Sequence, residues 1–130
     1  MRKQILNYII RPSKIEGVGV FTTSKIKEGE IIQIFDYSEK DTILISEAKA
    51  NKNKELYEMC ERYGVLTKKG YWAPEQFNRM YIGWYLNHST TPNCGDSGTT
   101  IYRALRDIQP DEELTIDYRT LDREIDNSQF

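Results

Sequence analysis

Residues 87–93, Asn87-His88-Ser89-Thr90-Thr91-Pro92-Asn93, are the least ordinary stretch of this 130-residue sequence. They include the only histidine of the chain, followed by small polar residues and a proline. The stretch shows neither the two-residue alternation of a strand nor the apolar spacing of a helix. Asn, Ser and Pro are also common in loops, where their side chains bond the backbone. Alone, the stretch therefore fits an ordinary loop as well as a binding site.

Two further segments, one on each side of this stretch, are distinctive. Residues 14–21 read K-I-E-G-V-G-V-F, and residues 112–118 read E-E-L-T-I-D-Y, an apolar strand ending on Asp-Tyr. The Gly17-x-Gly19 pair marks a tight turn, or a place where backbone approaches a ligand closely. A dinucleotide fingerprint is disfavoured, because it needs a third glycine and a following helix, whereas a β-rich run follows here.

The rest of the chain predicts many short strands and one clear helix. Leu56, Met59, Cys60 and Tyr63 recur at helical spacing, and Gly64 follows as the C-cap. Pro74-Glu75-Gln76 suits the first turn of a second, short helix, while residues 38–53 and 94–99 appear as irregular or loop segments. Strands are expected over residues 4–10, after Gly19, and over 31–35, 100–106 and 114–118. This pattern indicates a mostly β fold.

Composition indicates a single globular domain spanning residues 1–130. Hydrophobic residues make up 38% and aromatic residues 12% of the chain, which argues against disorder. No run approaches the roughly 20 apolar residues of a membrane span, and MRKQILNYII lacks the features of a signal peptide. We expect a soluble intracellular protein with no membrane partner, and the sequence leaves cytoplasm and nucleus open.

The charge is unevenly distributed along the chain. The net charge is −2, but residues 107–130 hold eight acids against Arg119 and Arg123, a net −6, which leaves +4 for residues 1–106. A sequence pI of about 5.5 disfavours direct nucleic-acid binding. The acidic end suits a cationic ligand or basic peptide, although acids that serve only solubility would look the same.

The two cysteines predict no metal centre. Cys60 and Cys94 show no C-x-x-C spacing, and adding His88 still falls short of the four ligands of a structural zinc site. A disulfide between them has no support, and a Cys–His nucleophile pair is a remote alternative. Reduced thiols fit best.

In combination and in this order, the three segments resemble the SET-domain family, lysine methyltransferases that use S-adenosylmethionine. The flanking runs I-K-E-G-E-I-I at residues 26–32 and A-L-R-D-I-Q-P at 104–110 agree. The resemblance covers a core of about residues 14–118 and suggests a minimal stand-alone domain. It implies several small sheets, a C-terminal pseudoknot and one main helix in the central insert. Residues 119–130, ending on Phe130, would form a tail or a lid.

The resemblance also implies which residues form the site. Tyr118 matches the catalytic tyrosine. A substrate channel would involve Tyr85, Ile116 and Phe35, although Tyr85 fits core packing beside Trp84 equally well. Phe35 stands where a tyrosine is common. Ile116 replaces the usual Phe or Tyr, and because it lacks a hydroxyl it favours di- or trimethylation. The cofactor would lie against Lys14, Gly17, Val18, Gly19, Asn87, His88 and Tyr118, with no metal.

The implied reaction suits these residue types. A lysine with its usual pKa of about 10.4 must lose a proton before attack, which near pH 7.4 costs roughly 4 kcal/mol, and a desolvating aromatic channel lowers that pKa. The substrate would be a lysine-containing protein or peptide, and a histone tail fits. A homodimer that completes the substrate groove is compatible with the sequence. Two alternatives remain: a degenerate SET-like domain that binds a basic peptide, and an unrelated β domain that binds nucleic acid.

Overall fold

The computed structural model describes residues 6–34, 42–96 and 101–120, which form short strands in three small sheets with two α-helices between them. None of these helices is long and apolar enough to cross a membrane. The helices are α1 (Glu47–Asn51) and α2 (Lys54–Tyr63), with 3₁₀ turns at Phe77–Arg79 and Ile82–Tyr85. The strands are β1 (Tyr8–Pro12), β2 (Val18–Thr22), β3 (Thr42–Ile45), β4 (Val65–Thr67), β5 (Gly70–Pro74), β6 (Asn87–His88), β7 (Cys94–Asp96), β8 (Tyr102–Ala104) and β9 (Glu113–Ile116).

The largest sheet brings the three distinctive segments together. Its order is β1-β2-β9-β6, with β2 antiparallel to both β1 and β9. The two-residue strand β6 runs parallel to β9, so that Asn87 lies opposite Thr115 and His88 opposite Ile116. The prediction of a mostly β fold of several small sheets is therefore confirmed.

The main hydrophobic core lies against this sheet. Val20 on β2 and Leu114 on β9 are cross-strand partners, and both are fully buried. Ile26 and Ile108 lie outside the strands, pair with each other in an isolated bridge, and add their side chains to the core. The other buried members are Ile32, Ile34, Leu86, Cys94, Tyr102, Ala104 and Ile116. Burying this apolar surface is the main force that holds such short strands together.

The central insert has a core of its own. Helix α2 forms where the apolar stripe predicted it: Cys60 is buried and Leu56 packs beside it. The Asn53 side chain caps the helix by accepting from the Leu56 amide at 3.0 Å. Gly64 is the C-cap, as predicted, with an extended backbone. The sheet order here is β3-β5-β4, and its buried Ile45, Tyr71 and Ala73 complete the cluster.

Several local predictions were wrong. In the predicted strand 31–35, the described residues up to 34 make only an isolated bridge between Ile31 and Arg103. The expected loop at 94–99 begins instead with β7. Helix α1 occupies part of a segment predicted to be irregular, because the Ser46 side chain caps the Lys49 amide. Pro74 ends β5 rather than starting a helix, which suits a residue that has no amide donor to pair.

Candidate functional site

A tight turn at residues 13–17 leads into β2. The Ser13 amide donates to the Gly17 carbonyl at 2.8 Å, and the Ser13 hydroxyl accepts from the Ile15 amide at 2.9 Å. Gly17 has a φ of +49°, a left-handed conformation that other residues rarely adopt. Lys14 and Val18 lie exposed on this turn. The turn therefore presents its backbone and the Lys14 side chain to solvent.

The glycine at position 19 has a different purpose from Gly17. A Cβ atom at Gly19 would lie 2.7 Å from Cδ of Glu113 and 3.1 Å from Nδ2 of Asn87. The space that the absent side chain leaves is thus filled by side chains from β9 and β6. Close approach at Gly19 is between parts of the protein itself.

The Asn87 side chain ties three segments together. Its Nδ2 atom donates to the Glu16 carbonyl at 3.2 Å, the Val18 carbonyl at 3.0 Å and Oε2 of Glu113 at 2.8 Å. The Oδ1 atom accepts no hydrogen bond from the described part of the chain. Because the amino group is held, the amide oxygen has a fixed orientation and is available as an acceptor.

His88 and Tyr118 are joined directly. The Tyr118 amide donates to Nδ1 of His88 at 3.0 Å, and the two ring centroids lie 5.2 Å apart. The Tyr118 hydroxyl donates a short hydrogen bond to the Leu86 carbonyl, one residue before the Asn-His pair. Both ends of Tyr118 are therefore positioned by residues 86–88.

Charge and burial keep the Tyr118 phenol protonated. Partial burial raises its pKa above the ordinary value of 10.0, and the nearby carboxylates of Glu16 and Glu113 raise it further. Its neighbour Asp117 is the reverse case, since hydrogen bonds from the Arg119 guanidinium and amide lower the Asp117 pKa to about 2. Near neutral pH the site therefore holds a neutral phenol beside an ionised carboxylate.

Two of the three residues predicted to line a channel, Tyr85 and Ile116, lie in the described part of the chain. The Tyr85 ring meets Tyr63 edge-on at 5.4 Å, and its hydroxyl is 3.9 Å from Sδ of Met80. Ile116 is 5% exposed and belongs to the main core. Phe35 and Phe130 lie outside the described residues. The assignment of a channel to Tyr85, Ile116 and Phe35 stays a prediction.

Within the described residues 107–120, four of the five acids are paired with a cation, and Glu113 bonds neutral donors. Each described acid from Asp107 to Asp117 has a cation or a polar group beside it. The pairs are Asp107 with Lys25, Asp111 with Arg11, Glu112 with Arg106, Glu113 with Ser13 and Asp117 with Arg119. Their attraction for a basic peptide is thereby reduced, because surface charges paired at this range present little net field.

The cysteines do not take part in the site. Cys94 is fully buried, and desolvation raises its pKa to about 12. Cys60 lies in the other core cluster, and both thiols are free. A buried thiol that stays protonated is a poor nucleophile, which argues against a Cys–His pair with His88 as the reactive centre.

Two polar residues that hold the site together, Asn93 and Glu113, were not predicted as site residues. Asn93 is 3% exposed; its Nδ2 donates to the Glu113 carbonyl at 2.8 Å, and its Oδ1 accepts from the Thr115 amide at 2.9 Å. The Asn93 side chain thus fixes β9 in place. Glu113 carries the hydrogen bonds to Ser13 and Asn87. Asn93 was visible as the last residue of its motif, whereas Glu113 had no local signal.

Comparison with known proteins places this arrangement in a family. A family model described as the SET domain matches residues 17–119. The chain belongs to the SET-domain family. The matched span includes Gly17-x-Gly19, the Asn-His pair and the Asp-Tyr pair that follows β9, in the order that the sequence predicted.

Curated relatives match a shorter part of this SET-domain chain. Proteins from Emericella nidulans and Aspergillus oryzae, each described as a histone-lysine N-methyltransferase specific for H3 lysine-4, are 48% identical over 54 residues. The match covers 35% of this chain and 4% of either relative. The chain therefore corresponds to a small part of those proteins.

Solved structures match over a greater length. A Plasmodium falciparum protein, described as a candidate histone methyltransferase, shares 26% identity with a TM-score of 0.54, covering 86% of this chain and 92% of that one. Polycomb Repressive Complex 2 of Chaetomium thermophilum, in a humanized mutant bound to an inhibitor, has a TM-score of 0.54 at 21% identity, over 85% of this chain and 14% of that one. The second match supports the fold alone.

Proposed function

We propose that this chain transfers methyl groups from S-adenosylmethionine to the Nζ atom of lysine side chains in a protein. The observation that supports this best is the arrangement of Tyr118, whose amide binds His88 and whose hydroxyl binds the Leu86 carbonyl. Tyrosine, histidine and asparagine from segments about 30 residues apart thus meet at one place in a SET-domain fold.

The groups around Tyr118 fit a positively charged cofactor. They include the Leu86 carbonyl, which accepts from the Tyr118 hydroxyl, and the carboxylates of Glu16 and Glu113, whose negative charges raise the Tyr118 pKa. When bound, S-adenosylmethionine supplies an activated methyl group on a sulfonium that carries a positive charge. The backbone of residues 14–19, with Asn87 and His88, would hold it.

The chain's own residues would align the reactants and keep out water. Deprotonating a lysine near pH 7.4 costs roughly 4 kcal/mol, and apolar walls lower this cost by destabilising the ammonium form. We assign that wall to Tyr85, Ile116 and Phe35. The neutral Tyr118 phenol offers its oxygen to the methyl being transferred without adding a second anion. Because Ile116 has no hydroxyl to hold a water against the amine, we expect di- or trimethylation.

The substrate we propose is a lysine within a basic protein segment, with a histone tail as the first candidate. The curated relatives are named as enzymes specific for histone H3 lysine-4. A peptide in an extended conformation would add as a strand to a sheet edge. Residues 119–130 would cover the cofactor. A histone substrate would place the protein where chromatin is accessible.

The direct test has two stages. Calorimetric titration with S-adenosylmethionine measures binding, and mass spectrometry of core histones and basic peptides after incubation then locates any methyl-lysine. Binding followed by methylation of lysine supports the proposal. An absence of both would overturn it, and would favour the alternative of a SET-like domain that binds a basic peptide without catalysis.

A further inference from the structure

The carboxylate of Glu113, on β9, lies where the turn at residues 13–17 and the Asn87 side chain of β6 meet. It accepts from the Ser13 hydroxyl, which lies 2.7 Å from Oε1 and 3.0 Å from Oε2, and from Nδ2 of Asn87 at 2.8 Å through Oε2. Ser13 and Glu113 are 100 residues apart in the chain. A Cβ atom at residue 19 would overlap this carboxylate in its present position, so a larger residue there would displace it.

The donors that face the side chain of Glu113 explain why this residue is a carboxylate. The Ser13 oxygen already accepts from the amides of Ile15 and Glu16, at 2.9 and 3.4 Å, so its hydroxyl hydrogen is what remains to be donated. The Asn87 amino group is a donor only. Two donors therefore converge on one side chain, and only a carboxylate offers two oxygens that both accept. A glutamine would leave one of the two donors facing an amino group.

We infer that Glu113 is a positioning residue for the cofactor, which acts by fixing the orientation of the Asn87 amide. An asparagine side chain can rotate to exchange its oxygen and its amino group, and its neighbours decide which orientation is adopted. With Glu113 and two backbone carbonyls on the amino group, Oδ1 of Asn87 is held as an acceptor for a positively charged group of the ligand. The inference rests on the proposed function for the identity of that ligand.

Glu113 and Tyr118 would then have different roles, with Glu113 acting mainly on cofactor binding and Tyr118 on methyl transfer. Glu113 lies on β9, and its contacts are with the turn and with Asn87, whereas Tyr118 follows the strand. Loss of the Glu113 charge should weaken cofactor binding about tenfold, a loss seen in the cofactor KM more strongly than in kcat. A charge-assisted hydrogen bond is strong enough for an effect of this size.

The test uses Glu113→Gln, with Glu112→Gln as the matched control because that neighbouring carboxylate pairs with Arg106 instead. The first readout needs no cofactor: NMR hydrogen exchange of the Asn87 side-chain amide in the free protein. We expect protection in the wild type and the Glu112 variant, and faster exchange in Glu113→Gln. Equal exchange in all three proteins would overturn the inference, whether or not the protein binds S-adenosylmethionine.

The second readout is a double-mutant cycle on cofactor affinity, measured by calorimetry well below every melting temperature. Removing the competing donor with Ser13→Ala should make Glu113→Gln less harmful, because the glutamine oxygen then serves Asn87 alone. A purely structural role predicts equal penalties in both backgrounds, and that result contradicts the inference. If the wild type fails to bind, the proposed function fails, while the exchange measurement still decides the role of Glu113.

Discussion

Nδ1 of His88 accepts the backbone N–H of Tyr118 at 3.0 Å, so the histidine holds the tyrosine through its main chain. The nitrogen must carry a lone pair to do this, which assigns the ring proton to Nε2 in the neutral form. His88 on β6 pairs in parallel with Ile116 on β9. Because Tyr118 follows Ile116 by two residues, this pairing brings Tyr118 close to His88. Tyr118 is thus positioned by the very motif that distinguishes the sequence.

Substitution of His88 separates this positioning role from the chemistry of an imidazole. In His88→Asn the amide oxygen can replace Nδ1 as the acceptor, whereas His88→Leu has no acceptor. We expect His88→Asn to retain most of the methyl-transfer rate and His88→Leu to lose about five- to tenfold, the effect of one hydrogen bond of roughly 1 kcal/mol. Steady-state rates at saturating cofactor measure the difference. Equal losses in both variants would show that the imidazole itself is required.

The Asn93 side chain should matter mainly for stability. Asn93→Ala removes the partners of the Glu113 carbonyl and the Thr115 amide, and leaving two buried backbone groups unpaired costs about 2–4 kcal/mol. We expect the melting temperature to fall by roughly 10 °C. Asn78→Ala, at an exposed position, is the control and should change little. Scanning calorimetry measures the melting temperatures. Equal melting temperatures for the two variants would show that Asn93 does not hold β9.

The ion pair between Asp117 and Arg119 gives a pH-dependent signature. Because Arg119 lowers the Asp117 pKa from 3.8 to about 2, this group stabilises the fold above pH 3.8 and loses its contribution as the pH falls toward 2. In Arg119→Gln the pKa of Asp117, measured by NMR, should rise toward its ordinary value without reaching it, because the backbone amide of residue 119 still donates to the carboxylate. Lys25→Gln, which affects Asp107 instead, should leave the Asp117 titration unchanged. An unaltered Asp117 titration in Arg119→Gln would refute this cause.

The two thiols should be inert in the folded protein. Burial raises the pKa of Cys94 to about 12 and also raises that of Cys60, and both residues are fully buried. We expect a thiol reagent at pH 8 to label neither cysteine in the native protein and both in guanidinium. Rapid native labelling at Cys94 would reopen a role for that residue in the site.

Much of the site followed from the sequence because each motif is local and has a fixed internal spacing. The glycine turn, the Asn-His pair and the Asp-Tyr end each needed only a few adjacent residues, and the fold brings them together as the resemblance implied. Helix α2 was predictable for the same reason, since its stripe and its C-cap lie within one short window.

Other features could not be predicted from the sequence, because they depend on residues that are distant in the chain. The pairing of Ser13 with Glu113 spans 100 residues, so nothing near Glu113 distinguishes it from the acids beside it. The strands β3, β4 and β5 are three to five residues long and are stabilised by one another, too short for an alternation pattern to be clear. The side chains that fill the space beside Gly19 come from β6 and β9, while contact of its backbone with the cofactor stays a prediction.

The most direct test of the central claim is the rate of methyl transfer to lysine by Tyr118→Phe. Tyr57→Phe is the matched control, because that hydroxyl bonds Glu61 on the surface of α2. The account predicts that Tyr118→Phe binds S-adenosylmethionine but loses about a hundredfold or more in kcat, as when a single polar group at a reacting centre is removed, while Tyr57→Phe matches the wild type. A Tyr118→Phe protein that methylates lysine at the wild-type rate would contradict the account.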